Sequence, residues 1–526
     1  MPGNKLFENW IVRFRSSRLF NRILSGAELS GLMLDESSRK FFYPESMEIV
    51  NKTVFAVAKV GEDEEALFIA CGGENRKHVM GHFSGLEYRE NGIIIKMCEL
   101  SEENAFSLQK YLIHTRPSIL PIDGVTVGVG DRLGIATQGH IRSFANRNAI
   151  PVFAQQSVRE LMFTNRSFSR VMSDVIWAVF RSGYKMPWGA DGDHLKDENW
   201  MKKAIEAGFR MITADVSDFI RDEYYLKSDS SILSEYDTLD NRYRKDIEGI
   251  FLNREFFLGE GASGHEKINK INFDRIQLAR CALIYGKAVE KAILMYRRVI
   301  DMAGGNDINF ELSVDEVSIP TTVYDHIFIS ELLDINGVRL FSMAPRFSGS
   351  FQKGIDYEGK LAEFERDLRI QNSIAVDRGY KISIHSGSDK FKIFPIIGKV
   401  CGGRFHLKTS GTSWLESLRV LAKEEPLFFR KLYRVSFDRF EFAKKYYHVK
   451  ADKGNAPHPD SLRDDELERL LNNSVTRQIL HITYGEILKN DGLKEEFFSL
   501  MRKHRELYWE YLEKHIGSHL DALGVG

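Results

Sequence analysis

The feature that most constrains this chain is a rhythm that begins near residue 121. Eight short apolar runs, each ending in polar residues, follow one another along the sequence. They are VTVGVGDRLGI (125–135), PVFAQQS (151–157), WGADGDHL (188–195), RMITADVSD (210–218), INFELSVDE (308–316), VRLFSMAPRF (338–347), YKISIHSGSD (380–389) and RFHLKTSGTS (404–413). Between them lie stretches such as DENWMKKAIEAGF and LAEFERDLRIQNSIAVDRG, whose apolar residues recur at helical spacing. Strands that alternate with helices pair in parallel, because a parallel pair needs a crossover connection. Eight such units predict an α/β chain closed into a (β/α)8 TIM-like barrel. An open doubly wound sheet is the competing arrangement.

The rest of the chain divides around that barrel. Residues 1–120, with β-rich runs VFAVAKV, ALFIACG and GIIIKMCEL, read as an N-terminal α/β subdomain. The barrel spans 121–415 and carries a helical insertion at about 219–306, which contains RIQLARCALIYGKAVEKAILMYRRVI. Tyr224, Tyr225, His265 and Lys267 in that insertion could form a lid, and a scaffold role is equally open. Residues 416–526 read as a C-terminal helical extension.

Composition excludes several function classes. The formal net charge of −1, with no basic stripe, argues against a nucleic-acid partner. No stretch approaches the ~20 apolar residues that span a bilayer. The start, MPGNKLFENWIVRF, lacks an apolar run with a small-residue cleavage site, and the four cysteines are scattered without CxxC spacing. The expected location is the reducing cytoplasm.

In a barrel the active site is built at the C-terminal ends of the strands. His194, His385 and His406 end the third, seventh and eighth runs. Any one of them could simply pack beneath a loop, but three strand-terminal imidazoles together predict one bound divalent metal. Zinc is favoured, with manganese, nickel or cobalt as alternatives. His326 is a substitute ligand, and Glu316 could complete the shell. His82, His114, His448 and His515 lie outside the barrel and are read as structural. In WGADGDHLK, Asp191 and Asp193 could instead cap a helix beginning near Lys196. GVGDRLG lacks the glycine spacing of a dinucleotide fingerprint, and ADGD lacks the later ligands of a calcium loop.

Several long strings, in one order, carry a family resemblance: GVGDRLGIATQGHIR, PVFAQQSVREL, WGADGDHLK, FELSVDE, FSMAPRFSG, ISIHSGSDKFKIFPIIGK and HLKTSGTSWLE. The chain resembles the bacterial tagaturonate epimerase family from about Asp123 into the C-terminal helices. One departure is Gly192, where the family's pattern has alanine. The resemblance implies interconversion of D-tagaturonate and D-fructuronate in hexuronate catabolism with a divalent metal. The site is also similar to that of metal-dependent class II aldolases, with Asp193-His194 on an early strand and His385 and His406 on late ones.

That reaction inverts a carbon that is not α to the ketone, so direct proton removal there is disfavoured. A retro-aldol route needs acid/base groups, for which Asp193 and Glu316 are the candidates, and a cationic grip on the substrate carboxylate. Arg346, Lys408 and Lys390 are the candidates for the grip, with Gln156 and Thr409 as hydroxyl ligands and Asp191 orienting the pair beside it. The partner is then a small keto-uronate, and a homo-oligomer is compatible with it. Two alternatives stay open: an aldolase or keto-sugar isomerase on the same barrel, and a non-catalytic sugar-acid binder.

Overall fold

Eight parallel strands close into a barrel. They are β1 (Val125–Gly128), β2 (Ala149–Ser157), β3 (Gly189–Leu195), β4 (Met211–Asp215), β5 (Asn309–Ser313), β6 (Ser342–Ala344), β7 (Lys381–Ile384) and β8 (Phe405–Lys408). Each lies within one of the eight apolar runs, and β8 closes on β1 with His406 opposite Thr126. The structure is a computed structural model that describes residues 4–17, 20–21, 38–61, 64–72, 76–259, 270–447 and 449–526.

A helix follows every strand: α1 (Thr137–Ser143), α2 (Phe168–Ser182), α3 (Glu198–Glu206), α4 (Arg275–Ala303), α5 (Val323–Ile335), α6 (Leu361–Asp377), α7 (Phe394–Cys401) and α8 (Thr412–Glu424). The long segment between β4 and β5 ends in α4, which starts at an Asp274–Gln277 capping box and packs on both α3 and α5. The last third of that insertion is therefore the barrel's own fourth helix. Of the residues considered for a lid, Tyr224 is buried and Tyr225 bonds Asp325 at 2.5 Å. His265 and Lys267 lie outside the described residues, as does His448.

The N-terminal strands form an antiparallel sheet in the order Glu48–Val50, Thr53–Lys59, Glu65–Cys71, Ile93–Cys98, Leu86–Glu90. Alternate residues serve two cores. Phe55, Val57, Leu67 and Ile69 join the barrel-side core, whereas Val54, Ala56 and Phe68 pack with Trp10, Phe14 and Phe42. Both faces are covered, which is why these strands read as continuous apolar runs. The C-terminal helices build a further core around Trp414, Phe429, Tyr433, Tyr484 and Phe497, and helix Arg505–Ala522 lies against α1.

The barrel interior departs from the usual filling of branched apolar side chains. Leu120, Val152, Met211 and Phe341 plug one level with hydrocarbon. Above them the buried positions are polar: Thr126, Asp191, Thr213, Glu311, Ser342, Ser383, His406 and Lys408. Buried polar groups are costly unless partnered. A barrel with this interior is organised around chemistry.

Candidate active site

The stretch WGADGDHLK becomes β3 and the turn after it. Helix α3 begins at Glu198, and its cap is Asp197, which accepts from the amides of Asn199 and Trp200. Asp191 and Asp193 are thus not caps. Both are buried, paired in register with Gln155 and Ser157 of β2. Consecutive strand residues normally face opposite sides. Here His194 takes φ 51°, inside a register irregularity between Gly192 and Leu195. That conformation costs of order 1–3 kcal/mol for a residue with a side chain. It lets Asp193 and His194 both line one cavity. Gly192 has a local reason too, since a methyl there would meet Leu195, Ala204 and Ile212 at 3.0–3.3 Å.

Lys408 is the hub of the polar layer. Its Nζ donates to Asp191 Oδ2 and Asp193 Oδ1, both at 2.7 Å, and lies 2.9 Å from Glu311 Oε1. It also reaches Thr213 Oγ1 at 2.5 Å. These carboxylates hold the lysine cationic against its burial. In return, burial pushes Asp191 up to about 6 despite Lys408. Asp193 goes the other way: burial opposes its charge, but Lys408, His194 and His385 outweigh that and keep it ionised.

Beside this hub, the rings of His194 and His385 lie with centroids 4.9 Å apart. His385 Nε2 is 2.7 Å from Glu311 Oε1 and its Nδ1 3.2 Å from Asp315 Oδ1. His194 Nδ1 is 3.3 Å from Asp215 Oδ2. Burial would lower His194, but Asp193, Asp215 and Asp315 hold it up at about 10. Ser386, next to His385, is likewise a non-glycine residue at positive φ, 51°. Side-chain donors of His194, Asp315 and His385 lie within 4.8 Å of one another, as do those of His194, Asp215 and Glu316.

A cavity of about 760 Å³ opens above these groups, and Glu316, Arg346, Lys390 and Lys408 line it. The other expected site residues sit elsewhere. His406 is on the inward face of β8 but two residues before Lys408, one layer deeper. Its Nδ1 lies 2.9 Å from Thr126 Oγ1, its Nε2 is buried without a hydrogen-bond partner, and burial lowers it to about 3. Among the described residues it joins neither group of converging donors with His194. His326 lies in the helical layer, bonded at 2.5 Å to both Gln371 and Tyr380. Thr409 closes β8 on β1 by donating to Gly128 O at 2.8 Å. Gln156 is buried outside the cavity lining, and Gln155 takes the inward place, its Nε2 3.4 Å from Asp193 Oδ2. Gly128 makes room for Gln155, whose Oε1 would be 1.7 Å from any Cβ there. Lys390 spends its donors on the carbonyls of Gln352, Ile355 and Ser388.

Four groups at the site are not among the residues to which the sequence alone assigns a role. Glu311 sits inside β5, and an acid within the apolar run INFELS was the available signal. Asp315 precedes the chosen Glu316 and is the one that meets His385. Arg132 and Glu160 form a buried pair at 2.7 Å at the cavity wall, with the Arg132 guanidinium 4.3 Å above the Tyr484 ring. Lys353 lines the cavity from the loop after β6, where no strand end pointed to it.

The donor set suits a divalent cation. Asp191, Asp193 and Glu311 crowd around Lys408, while Asp215 and Asp315 face His194 and His385 and favour their charged forms. Imidazole and carboxylate donors at this spacing could hold a divalent cation, which would replace the histidine protons. Among the described residues no helix is long and apolar enough to cross a membrane.

Comparison with known proteins agrees with this architecture. The tagaturonate/fructuronate epimerase of Thermotoga maritima is 38% identical over 467 residues, 88% of this chain and 93% of that one. A glycerol-complexed crystal structure of fructuronate-tagaturonate epimerase UxaE from Cohnella laeviribosi superposes with a TM-score of 0.86 at 38% identity, covering 93% of this chain and 98% of that one. The native crystal structure of the same enzyme also gives 0.86, at 37% identity and with 98% and 100% coverage. The match to the UxaE, tagaturonate epimerase, family runs over residues 43–523, and the chain belongs to that family.

Proposed function

We propose that this protein interconverts D-tagaturonate and D-fructuronate by breaking and re-forming a carbon–carbon bond. The observation that carries the proposal is the meeting of an ionised Asp193 with the His194–Asp315–His385 group on one cavity floor. His194, His385 and Asp315 would hold the metal, with Asp215 as a further ligand. Bound there, a divalent cation supplies Lewis-acid polarisation of the ketone.

The residues divide the proton work. Lys408 grips Oδ1 of Asp193, which leaves Oδ2 to accept the proton of the hydroxyl β to the ketone. As that O–H bond breaks, the hydroxyl carbon becomes an aldehyde, and the electrons of its bond to the α-carbon pass into an enediolate. The aldehyde fragment turns, and the enediolate attacks its other face. Glu316, on the loop after β5, gives a proton to the new alkoxide. In the reverse direction the two carboxyl groups exchange roles. Asp193 is buried and fixed by Lys408 and Gln155, as an acid/base must be to act in one geometry.

The test is turnover of keto-uronates by the full chain, with product read by NMR. Wild type is expected to equilibrate the two uronates, to stop on chelation and to recover on adding zinc or manganese. Asp193→Asn is expected to lose on the order of 10²–10⁴ in turnover, the usual scale for a positioned acid/base, while keeping its metal. Full activity in a metal-free sample would overturn the metal assignment. An Asp193→Asn variant of normal rate would overturn the base.

A further inference from the structure

The cations that line the cavity are mostly committed within the protein. Lys408 is shared by Asp191, Asp193 and Glu311, Arg132 is paired with Glu160, and Lys390 is held by three carbonyls. Lys450 reaches Glu358 at 3.3 Å. Lys353 differs. Its ammonium makes one described bond, 3.1 Å to the hydroxyl of Ser386, which adjoins His385, and it lies within 4.0 Å of no carboxylate among the described residues. Burial and the like charges of Arg159 and Arg132 work against its proton, and the carboxylates of Glu160 and Asp193 only partly offset them.

The loop around Lys353 is fastened at every turn. The carbonyl of Lys353 itself accepts from Gln478 Nε2 at 3.1 Å, and that of Gly354 from Arg477 Nε at 2.8 Å. Lys390 holds the carbonyls of Gln352 and Ile355 on either side. Gln478 and Arg477 belong to helix Ser474–Ile482 of the C-terminal extension. A loop pinned this closely, presenting to the cavity a lysine with no carboxylate within 4.0 Å among the described residues, is arranged for an anion from outside.

We propose that Lys353 is the residue that binds the substrate carboxylate and so selects acidic over neutral ketoses. Gln478 and Arg477 are positioning residues for it, which gives the C-terminal extension a role in specificity. The inference rests on the keto-uronate reading for its substrate, and on the geometry around Lys353 for its residue.

The test uses the full-length, metal-loaded protein and the variants Lys353→Met and Lys353→Arg. For tagaturonate, Lys353→Met is expected to raise KM about 10- to 100-fold, the scale of one lost hydrogen bond to a charged group, with a smaller change in kcat. The ratio of kcat/KM for tagaturonate over tagatose should fall by a similar factor, and Lys353→Arg should recover much of it. Calorimetric titration with gluconate, a six-carbon hydroxy acid without the ketone, reads the anion site directly and should show the same loss. Metal content and melting temperature should stay at the wild-type values. If wild type epimerises tagaturonate and Lys353→Met does so with unchanged KM and unchanged gluconate affinity, the inference falls while the function stands. If wild type turns over no keto-uronate, the gluconate titration still decides whether Lys353 holds a carboxylate. A loss confined to kcat would make Lys353 an acid/base group and overturn the assignment.

Discussion

Replacing Lys408 by Met is expected to destabilise the protein by about 3–5 kcal/mol, the usual result of removing one partner from a buried ion pair. The effect is large because this one ammonium serves Asp191, Asp193 and Glu311, all buried in the barrel. Without it, mutual repulsion adds to the desolvation of each carboxylate. Against a typical total of roughly 5–15 kcal/mol, that is a major fraction of the fold's stability. Thermal unfolding of the metal-free variant checks it, and activity should vanish with the position of Asp193. Adding Asp191→Asn should restore part of the melting temperature, since it removes one of the stranded charges. The sequence reading placed Lys408 on the substrate carboxylate instead. A variant that unfolds like wild type and is weakened only toward uronates would support that role and contradict the hub described here.

His194→Ala and His385→Ala are expected to abolish stable metal binding. Each removes an imidazole from a group whose donors lie within 4.8 Å of one another. Loss of a direct ligand should exceed the 10–100-fold that loss of a ligand's hydrogen-bond partner typically costs in affinity. Elemental analysis after gel filtration should therefore find the metal nearly gone from both, with turnover lost in proportion. His406→Asn is expected to retain it, because His406 lies a layer below and bonds Thr126. Equal loss in all three variants would return His406 to the metal shell and remove Asp315 from its place there.

Much of the barrel was legible in the sequence because two periodicities reinforce each other. Apolar strand cores recur between helical stretches, and polar residues gather toward the C-terminal ends of most strands. The Asp193-His194 pair and His385 stood out for the same reason, as charged groups at strand ends. Depth was not legible. His406 and Lys408 share a face of β8, yet only the register with β1 and β7 shows which of them reaches the cavity. Parity failed at β2, where a register shift between Val152 and Ala154 accompanies the inward turn of Gln155 rather than Gln156. Lys353 was invisible for another reason. Its place depends on Lys390, Arg477 and Gln478, the last two more than a hundred residues away. No local pattern records such a long-range arrangement.

The central claim is that the inverted carbon keeps its hydrogen while its bond to the neighbouring carbon breaks. Asp193 lines the cavity and in the proposed route takes a hydroxyl proton, and a retro-aldol cleavage touches no C–H bond at that carbon. The direct measurement is epimerisation in deuterium oxide, with the product examined by NMR at the inverted position. The account predicts protium there after many turnovers, together with traces of a three-carbon ketone and a three-carbon aldehyde acid trapped by reduction. Deuterium at the inverted carbon would show that its C–H bond is broken, and would contradict the mechanism.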